Sequence, residues 1–305
     1  MTTLGTAIRI AGAVKRYGGV TAVDHLDLDV PEGVCLGLLG PNGAGKSTTM
    51  RLLTAQSVAD EGEISVLGLS LPKRSKQARA LMGVVPQMDN LDEELTARQN
   101  LEVFAHIYRV PRHARRGAVA RALALAQLED RADTRADRLS GGMRRRLLIA
   151  RGLVHSPRLV LLDEPTVGLD PQVRQELWAL VARLRDEGVT TLMSTHYIEE
   201  AERLADECAL MSRGRVVARG GPEELIKEYA GAEVHEHRGS AERLAEIEAL
   251  ARGEGFPTRR TGPTVSILKA EQLTEPVRAR LDTPSVRRPA NLEDVFVVLT
   301  GEAVE

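Results

Sequence analysis

The chain has 305 residues, 43% hydrophobic and 28% charged, the profile of a soluble globular protein with room for one large domain and a smaller one. With 41 Lys and Arg against 43 Asp and Glu, there is neither the basic field that nucleic acid calls for nor an acidic one. No apolar run reaches about 18 residues and no basic-then-apolar leader opens the chain, so it is expected neither to span a membrane nor to be secreted. Its two cysteines, Cys35 and Cys208, lie in the apolar runs VCLGLL and ECALM and are expected to be buried free thiols in a reducing compartment.

Residues 7–30 alternate apolar and polar, which predicts antiparallel strands with Tyr17-Gly18-Gly19 in the turn between them. Val34 to Leu39 is apolar on both faces and predicts a buried parallel strand leading into GPNGAGKST, Gly40 to Thr48. Further on, Thr96 and Gln99 form a capping box for a helix expected to close at Pro111. Leu159 to Asp163 predicts a second buried parallel strand, ending at Glu164-Pro165. Asp170 as N-cap and Pro171 at the first helical position open a helix that buries Leu177, Leu180, Val181 and Leu184 and stops at Gly188. After about residue 230 the signals weaken: helices at 241–252, 271–281 and 292–299 and a strand at 264–269. The pattern is α/β with a helical insertion and a small α+β appendix.

The stretch Gly40, Pro41, Asn42, Gly43, Ala44, Gly45, Lys46, Ser47, Thr48 fits a phosphate-binding loop between a strand and a helix. Glycines there let successive N–H groups turn onto a phosphate, Lys46 neutralises the β and γ oxygens, and the Ser47 hydroxyl suits Mg²⁺. Asp163, at the carboxyl end of a buried strand, is placed to support the metal, and Glu164, expected to point the other way, to align or deprotonate water. His196, after the strand-like TTLMST, could reach the γ-phosphate from a third strand. A second anion cradle opens the helix RLSGGMRRRLLIARGLV, where Ser140, Gly141 and Gly142 present N–H groups at a helix N-terminus. Arg144 to Arg146 follow at once against the helix dipole, and read either as a solvated face or as facing an anionic partner.

Taken in order, GPNGAGKST, VPQ ending at Gln87, LSGGMRRRL, LVLLDEP, VGLD ending at Asp170 and STH ending at His196 resemble the ATP-binding cassette (ABC) transporter ATPases over residues 7–225. The resemblance implies a P-loop NTPase core with an antiparallel β-subdomain and a helical subdomain, ATP and Mg²⁺ as cofactors, and a head-to-tail dimer. Each ATP would lie between one chain's phosphate loop and the other's Ser140 to Gly142. It implies Tyr17 stacking on adenine, Gln87 with Ser47 and Asp163 at the metal, Asp170 at the nucleotide, and Glu164, His196 and Lys46 as the catalytic set. Met143 stands where most of the family has Gln and carries no assigned chemistry.

The resemblance also divides the chain: residues 1–230 as the ATPase domain, with the helical subdomain at about 88–155, and residues 231–305 as an accessory domain. MGVVPQMDNLDEELTARQNLEVFAHIYRV (residues 82–110), SGGMRRRL, THYIEEAERLAD and RPANLEDVFVVLTG are similar to the daunorubicin-resistance and nodulation-factor-export subfamilies. These serve ABC-2 type exporters, which implies a separate transmembrane permease, a second ATPase subunit, and a peripheral place on the inner membrane face; no nucleic acid partner is expected. Phe104, Ile107 and Tyr108 could meet that permease or pack the insertion's own core. The alternative function is a soluble mechanoenzyme of the same superfamily, whose two-cassette or coiled-coil layouts this chain does not share. His235 and His237 are expected to be exposed and inert rather than metal ligands. The transported compound is not legible.

Overall fold

The computed structural model describes residues 5–281 and 284–301. Strands β1 (Thr6–Tyr17) and β2 (Val20–Pro31) form the expected hairpin, pairing from Thr6 against Pro31 to Tyr17 against Val20. β3 (Cys35–Leu39) is buried along its whole length and runs through the phosphate loop into α1 (Lys46–Leu53). β4 (Glu61–Val66), β5 (Leu69–Leu71), α2 (Ser75–Ala80) and β6 (Met82–Val85) follow. β2-β1-β4-β5 is a four-stranded antiparallel sheet, and Ile8, Ile10, Leu26, Leu28 and Ile64 on its inner face share a core with Leu36, Leu38, Leu52 and Leu161. The alternation that announced these strands is what lets one face pack while the other meets water.

Three helices form the insertion: α3 (Ala97–Ile107), α4 (Arg112–Ala126) and α5 (Gly141–Leu153). The Thr96–Gln99 capping box forms as expected. The helix does not close at Pro111, however. It ends at Ile107, and Pro111 is the N-cap of α4, because proline lacks the N–H that a helix interior needs. Then come β7 (Leu159–Asp163), α6 (Pro171–Asp186), β8 (Thr190–Thr195), α7 (Ile198–Leu204), β9 (Glu207–Ser212), β10 (Arg215–Gly220) and α8 (Pro222–Leu225). The central sheet has the order β10-β9-β3-β8-β7-β6, parallel except for the β9–β10 hairpin. Leu101, Leu123, Leu147, Leu148 and Ile149 of the insertion share one core with Val160, Leu162 and Leu177, which fixes α5 beside the end of β7.

The rest comprises β11 (Glu233–Arg238), α9 (Ala241–Gly253), β12 (Thr258–Thr261), β13 (Thr264–Ile267), α10 (Glu275–Leu281), β14 (Ser285–Pro289) and α11 (Leu292–Thr300). The third sheet, β12-β13-β11-β14, is antiparallel. Only β13 of its strands was anticipated, and the helix expected from residue 271 begins at Glu275 after a short turn. The expected exposure of His235 and His237 is overturned. They sit on β11 at 5% and 2% exposure, His235 Nε2 lies 3.2 Å from Glu233 Oε1, and burial holds His237 below the ordinary histidine pKa. α11 leaves this sheet and places Leu292, Val295 and Phe296 in a core with Leu39, Leu210 and Leu225. Both cysteines are buried free thiols whose pKa burial pushes up to about 12. Among the described residues, no helix is long and apolar enough to cross a membrane.

Candidate active site

In a parallel α/β sheet the chemistry gathers beyond the carboxyl ends of the strands, and here four of them converge. β3 delivers the phosphate loop, β6 delivers Gln87, β7 delivers Asp163 and Glu164, and β8 delivers His196. The phosphate loop folds as its glycines allow. Gly45 takes φ +106°, and a Cβ there would lie 2.4 Å from the Ala22 carbonyl oxygen, so no other residue fits without moving the β2 backbone. Lys46 is 4% exposed and donates to the carbonyls of Gly40 (2.7 Å) and Pro41 (3.1 Å), with Glu164 Oε1 at 3.5 Å. Burial pulls the Lys46 pKa down, and the neighbouring Glu164 carboxylate opposes that shift.

Glu164 is the hub. Its carboxylate lies 3.5 Å from Lys46 and 3.4 Å from His196 Nδ1 through Oε1, and accepts a 3.2 Å hydrogen bond from Gln87 Nε2 on Oε2. It is 6% exposed. The two adjacent carboxylates do separate, but strand alternation is not the cause. β7 ends at Asp163, and Glu164 adopts φ +44°, a left-handed conformation that swings its side chain toward Lys46.

Asp163 faces Ser194 in register across β7 and β8, and Ser194 Oγ donates to Asp163 Oδ1 at 2.6 Å. The same Oγ accepts the Glu164 N–H at 3.0 Å. Burial raises the Asp163 pKa, and the Ser194 hydrogen bond pulls it back. Ser47, Gln87 and Asp163 line one cleft of about 270 Å³ with Arg51, Gln56 and Met88. A hydroxyl, an amide and a carboxylate opening on one cleft are an oxygen donor set of the kind that Mg²⁺ takes.

The remaining residues stand elsewhere. Tyr17 is 44% exposed at the β1–β2 turn, with its hydroxyl 3.1 Å from Ser57 Oγ. Ser140 caps α5 by accepting from Met143 N at 3.3 Å. A Cβ on Gly142 would meet Val173 Cγ1 at 2.5 Å, so that glycine lets α5 approach α6. Asp170 sits at the N-cap position of α6, and its side chain makes no capping hydrogen bond. Among the described residues, neither Ser140 to Gly142 nor Asp170 lines the cleft of Ser47 and Asp163.

Two participants were missed. Ser194 lay unremarked inside TTLMST, although a hydroxyl on the strand beside a buried aspartate was a usable signal. Arg145 is neither part of a solvated face nor a contact open to a partner. It is 8% exposed and its guanidinium donates only to main-chain carbonyls.

The sequence profile of the ABC transporter family matches residues 23–167. The Nod factor export ATP-binding protein I of Mesorhizobium japonicum is 42% identical over 98% of this chain and 88% of its own length. That of Burkholderia orbicola is 43% identical over 95% and 96%. The chain belongs to the ABC transporter ATP-binding proteins. It is an ATPase of that family, with the α/β P-loop NTPase fold. Among solved structures it is similar to a dimeric bacterial ABC transporter cassette, with a TM-score of 0.64 and 29% identity over 70% of this chain and 98% of that one. The post-hydrolysis dimer of an ATP-binding cassette holding ADP and Pi gives a TM-score of 0.63 at 28% identity, over 70% and 98%.

Proposed function

We propose that this ABC ATPase powers an exporter by hydrolysing ATP at sites shared between two copies of the chain, or between it and a closely related subunit. The observation that carries the reading is the meeting of Lys46, Gln87 and His196 on the one buried carboxylate of Glu164. A carboxylate held among a cation, an amide and an imidazole can take the proton of an attacking water while the others bear the charge that develops on the γ-phosphate. Lys46 would hold the β and γ oxygens, the glycine loop the β-phosphate, and His196 the γ-phosphate. Ser47, Asp163 and Gln87 would hold Mg²⁺, which when bound neutralises charge between the phosphates.

Tyr17, half exposed in a turn, suits stacking on adenine. The Ser140 to Gly142 helix terminus offers N–H groups and a dipole worth about 0.3 to 1 kcal/mol to an anion. Since it lies off its own chain's cleft, a second copy is what would bring it to the phosphate, with Asp170 nearby on the same facing surface. The names of the relatives favour export, and the subfamily resemblance implies a separate permease of the ABC-2 type. The chain would then be peripheral on the inner face of the membrane, and residues 231–305 an accessory unit that α11 fastens to the ATPase domain. The test is ATP hydrolysis by the purified chain and by Glu164→Gln. Turnover should fall by roughly 10² to 10⁴ with ATP affinity retained, and undiminished turnover would remove Glu164 from its role.

A further inference from the structure

One buried side chain, Arg145, hydrogen-bonds the helix α5 to both catalytic strand ends. Arg145 Nε donates to the Pro165 carbonyl at 2.6 Å. Nη1 donates to Pro86 (2.7 Å) and Gln87 (3.1 Å), and Nη2 to Asp163 (3.3 Å) and Glu164 (3.1 Å). A guanidinium has five N–H donors in a planar fork, and here five carbonyls meet it. They come from two segments that are neighbours in space and far apart in sequence, the exits of β6 and β7. Each exit carries one partner of the Gln87–Glu164 hydrogen bond. On the same helix, Arg144 grips Asp89 (2.7 Å) and Glu93 (2.8 Å), and Arg151 the Asn90 carbonyl (2.9 Å). The hydrogen bonds and ion pairs of those two go to the segment after β6. Of these three arginines, Arg145 is the one that, among the described residues, also reaches β7.

We propose that Arg145 is a positioning residue, holding the Gln87 and Glu164 strand ends against each other and against the helix that begins at Ser140 to Gly142. The proposal rests on the hydrolytic reading of Glu164 given above. Rotating the carbonyl of Gln87 or Glu164 swings the side chain on the same residue, so a clamp on both carbonyls fixes the distance between amide and carboxylate. Because the clamp is rooted in α5, the cis half of the site and the candidate trans clasp become parts of one rigid piece. A lysine keeps the charge but presents three donors from a single point and cannot span the five carbonyls; glutamine offers one amide. A role limited to buried charge would be met by lysine, whereas a positioning role would not.

The test uses the full chain with Arg145→Lys, Arg145→Gln and Glu164→Gln, measuring thermal unfolding, equilibrium binding of a fluorescent ATP analogue, and the kcat and KM of hydrolysis. Both Arg145 variants should be folded at the assay temperature, bind nucleotide within about threefold of the parent, and lose at least roughly tenfold in kcat with KM little changed. Lysine should rescue little of the loss. Parent-like kcat in either variant would overturn the proposal. So would a fall in nucleotide affinity that accounts for the whole loss, and so would failure of both variants to fold, since Arg145 would then serve stability alone. Unchanged hydrolysis in Glu164→Gln beside slowed Arg145 variants would instead overturn the reading of Glu164, and with it the claim that Arg145 acts by positioning that carboxylate.

Discussion

Gln87 and Glu164 are joined directly, Gln87 Nε2 donating to Glu164 Oε2 at 3.2 Å across the exits of β6 and β7. The two residues stand 77 positions apart in sequence, so only the parallel pairing of those strands brings them together. In a reading where Gln87 senses the metal and phosphate and Glu164 aligns water, this contact makes the sensor and the base a single unit. A change at either end is felt at the other.

Ser194 supports that unit from β8, donating to Asp163 and accepting from the Glu164 N–H. Ser194→Ala removes both contacts and leaves a buried N–H with only the Ser194 carbonyl as acceptor, 3.1 Å away. Stability should fall by about 1 to 2 kcal/mol. Hydrolysis should slow by about tenfold as the carboxylates lose alignment, with the half-saturating Mg²⁺ concentration rising. Denaturant melts and Mg²⁺ titration of the hydrolysis rate check both effects.

The legible parts of this molecule are those whose chemistry is contiguous in sequence. The Gly40 to Thr48 loop, whose Lys46 bonds the Gly40 and Pro41 carbonyls, and the cap at Thr96 each carry their partners within a few residues. Arg145 was illegible because its partners are carbonyls, which every residue has and no sequence marks. β11, EVHEHR, escaped because its buried face contains two histidines where alternation looks for apolar residues. β14, SVRRP, escaped because its pairing with β11 draws on Arg288, which bonds Glu236 and the wholly buried Asp294.

The candidate permease surface is sharpened as well. Phe104 and Tyr108 are engaged within the chain: the Arg151 guanidinium lies 4.1 Å over the Phe104 ring, and Tyr108 stacks on His155 at 3.7 Å. Ile107, Val103 and Met88, at 60%, 43% and 80% exposure, are exposed apolar side chains nearby. Ile107→Asp should leave folding and basal hydrolysis as they are and abolish co-purification with the permease. Leu91→Asp, at a position 7% exposed within the helical core, should unfold that core by burying an unpaired charge. Pull-down of the co-expressed permease, with melts of both variants, separates surface from core.

Glu200 is wholly buried on α7, accepting from Thr166 Oγ1 (2.9 Å) and Trp178 Nε1 (3.2 Å) on Oε1. Burial raises its pKa above the ordinary 4.5. A raised carboxyl pKa contributes stability that is complete below 4.5 and is lost as pH climbs through the folded-state value. Glu200→Gln removes that titration. The stability of the variant relative to the parent should therefore increase with pH across this window, by about 1.4 kcal/mol for each unit of upward shift. Urea melts of both chains from the acid side to neutrality measure the slope.

The central claim is that the phosphate loop of one chain is completed by Ser140 to Gly142 of another. Its most direct test is the molar mass of Glu164→Gln, by light scattering after gel filtration, with and without Mg-ATP, beside the double variant Glu164→Gln/Ser140→Arg. Glu164→Gln should shift from monomer to dimer on adding ATP, and the double variant should bind ATP equally well yet stay monomeric. A Glu164→Gln chain that remains a monomer at saturating ATP, or a double variant that dimerises as readily, would contradict it.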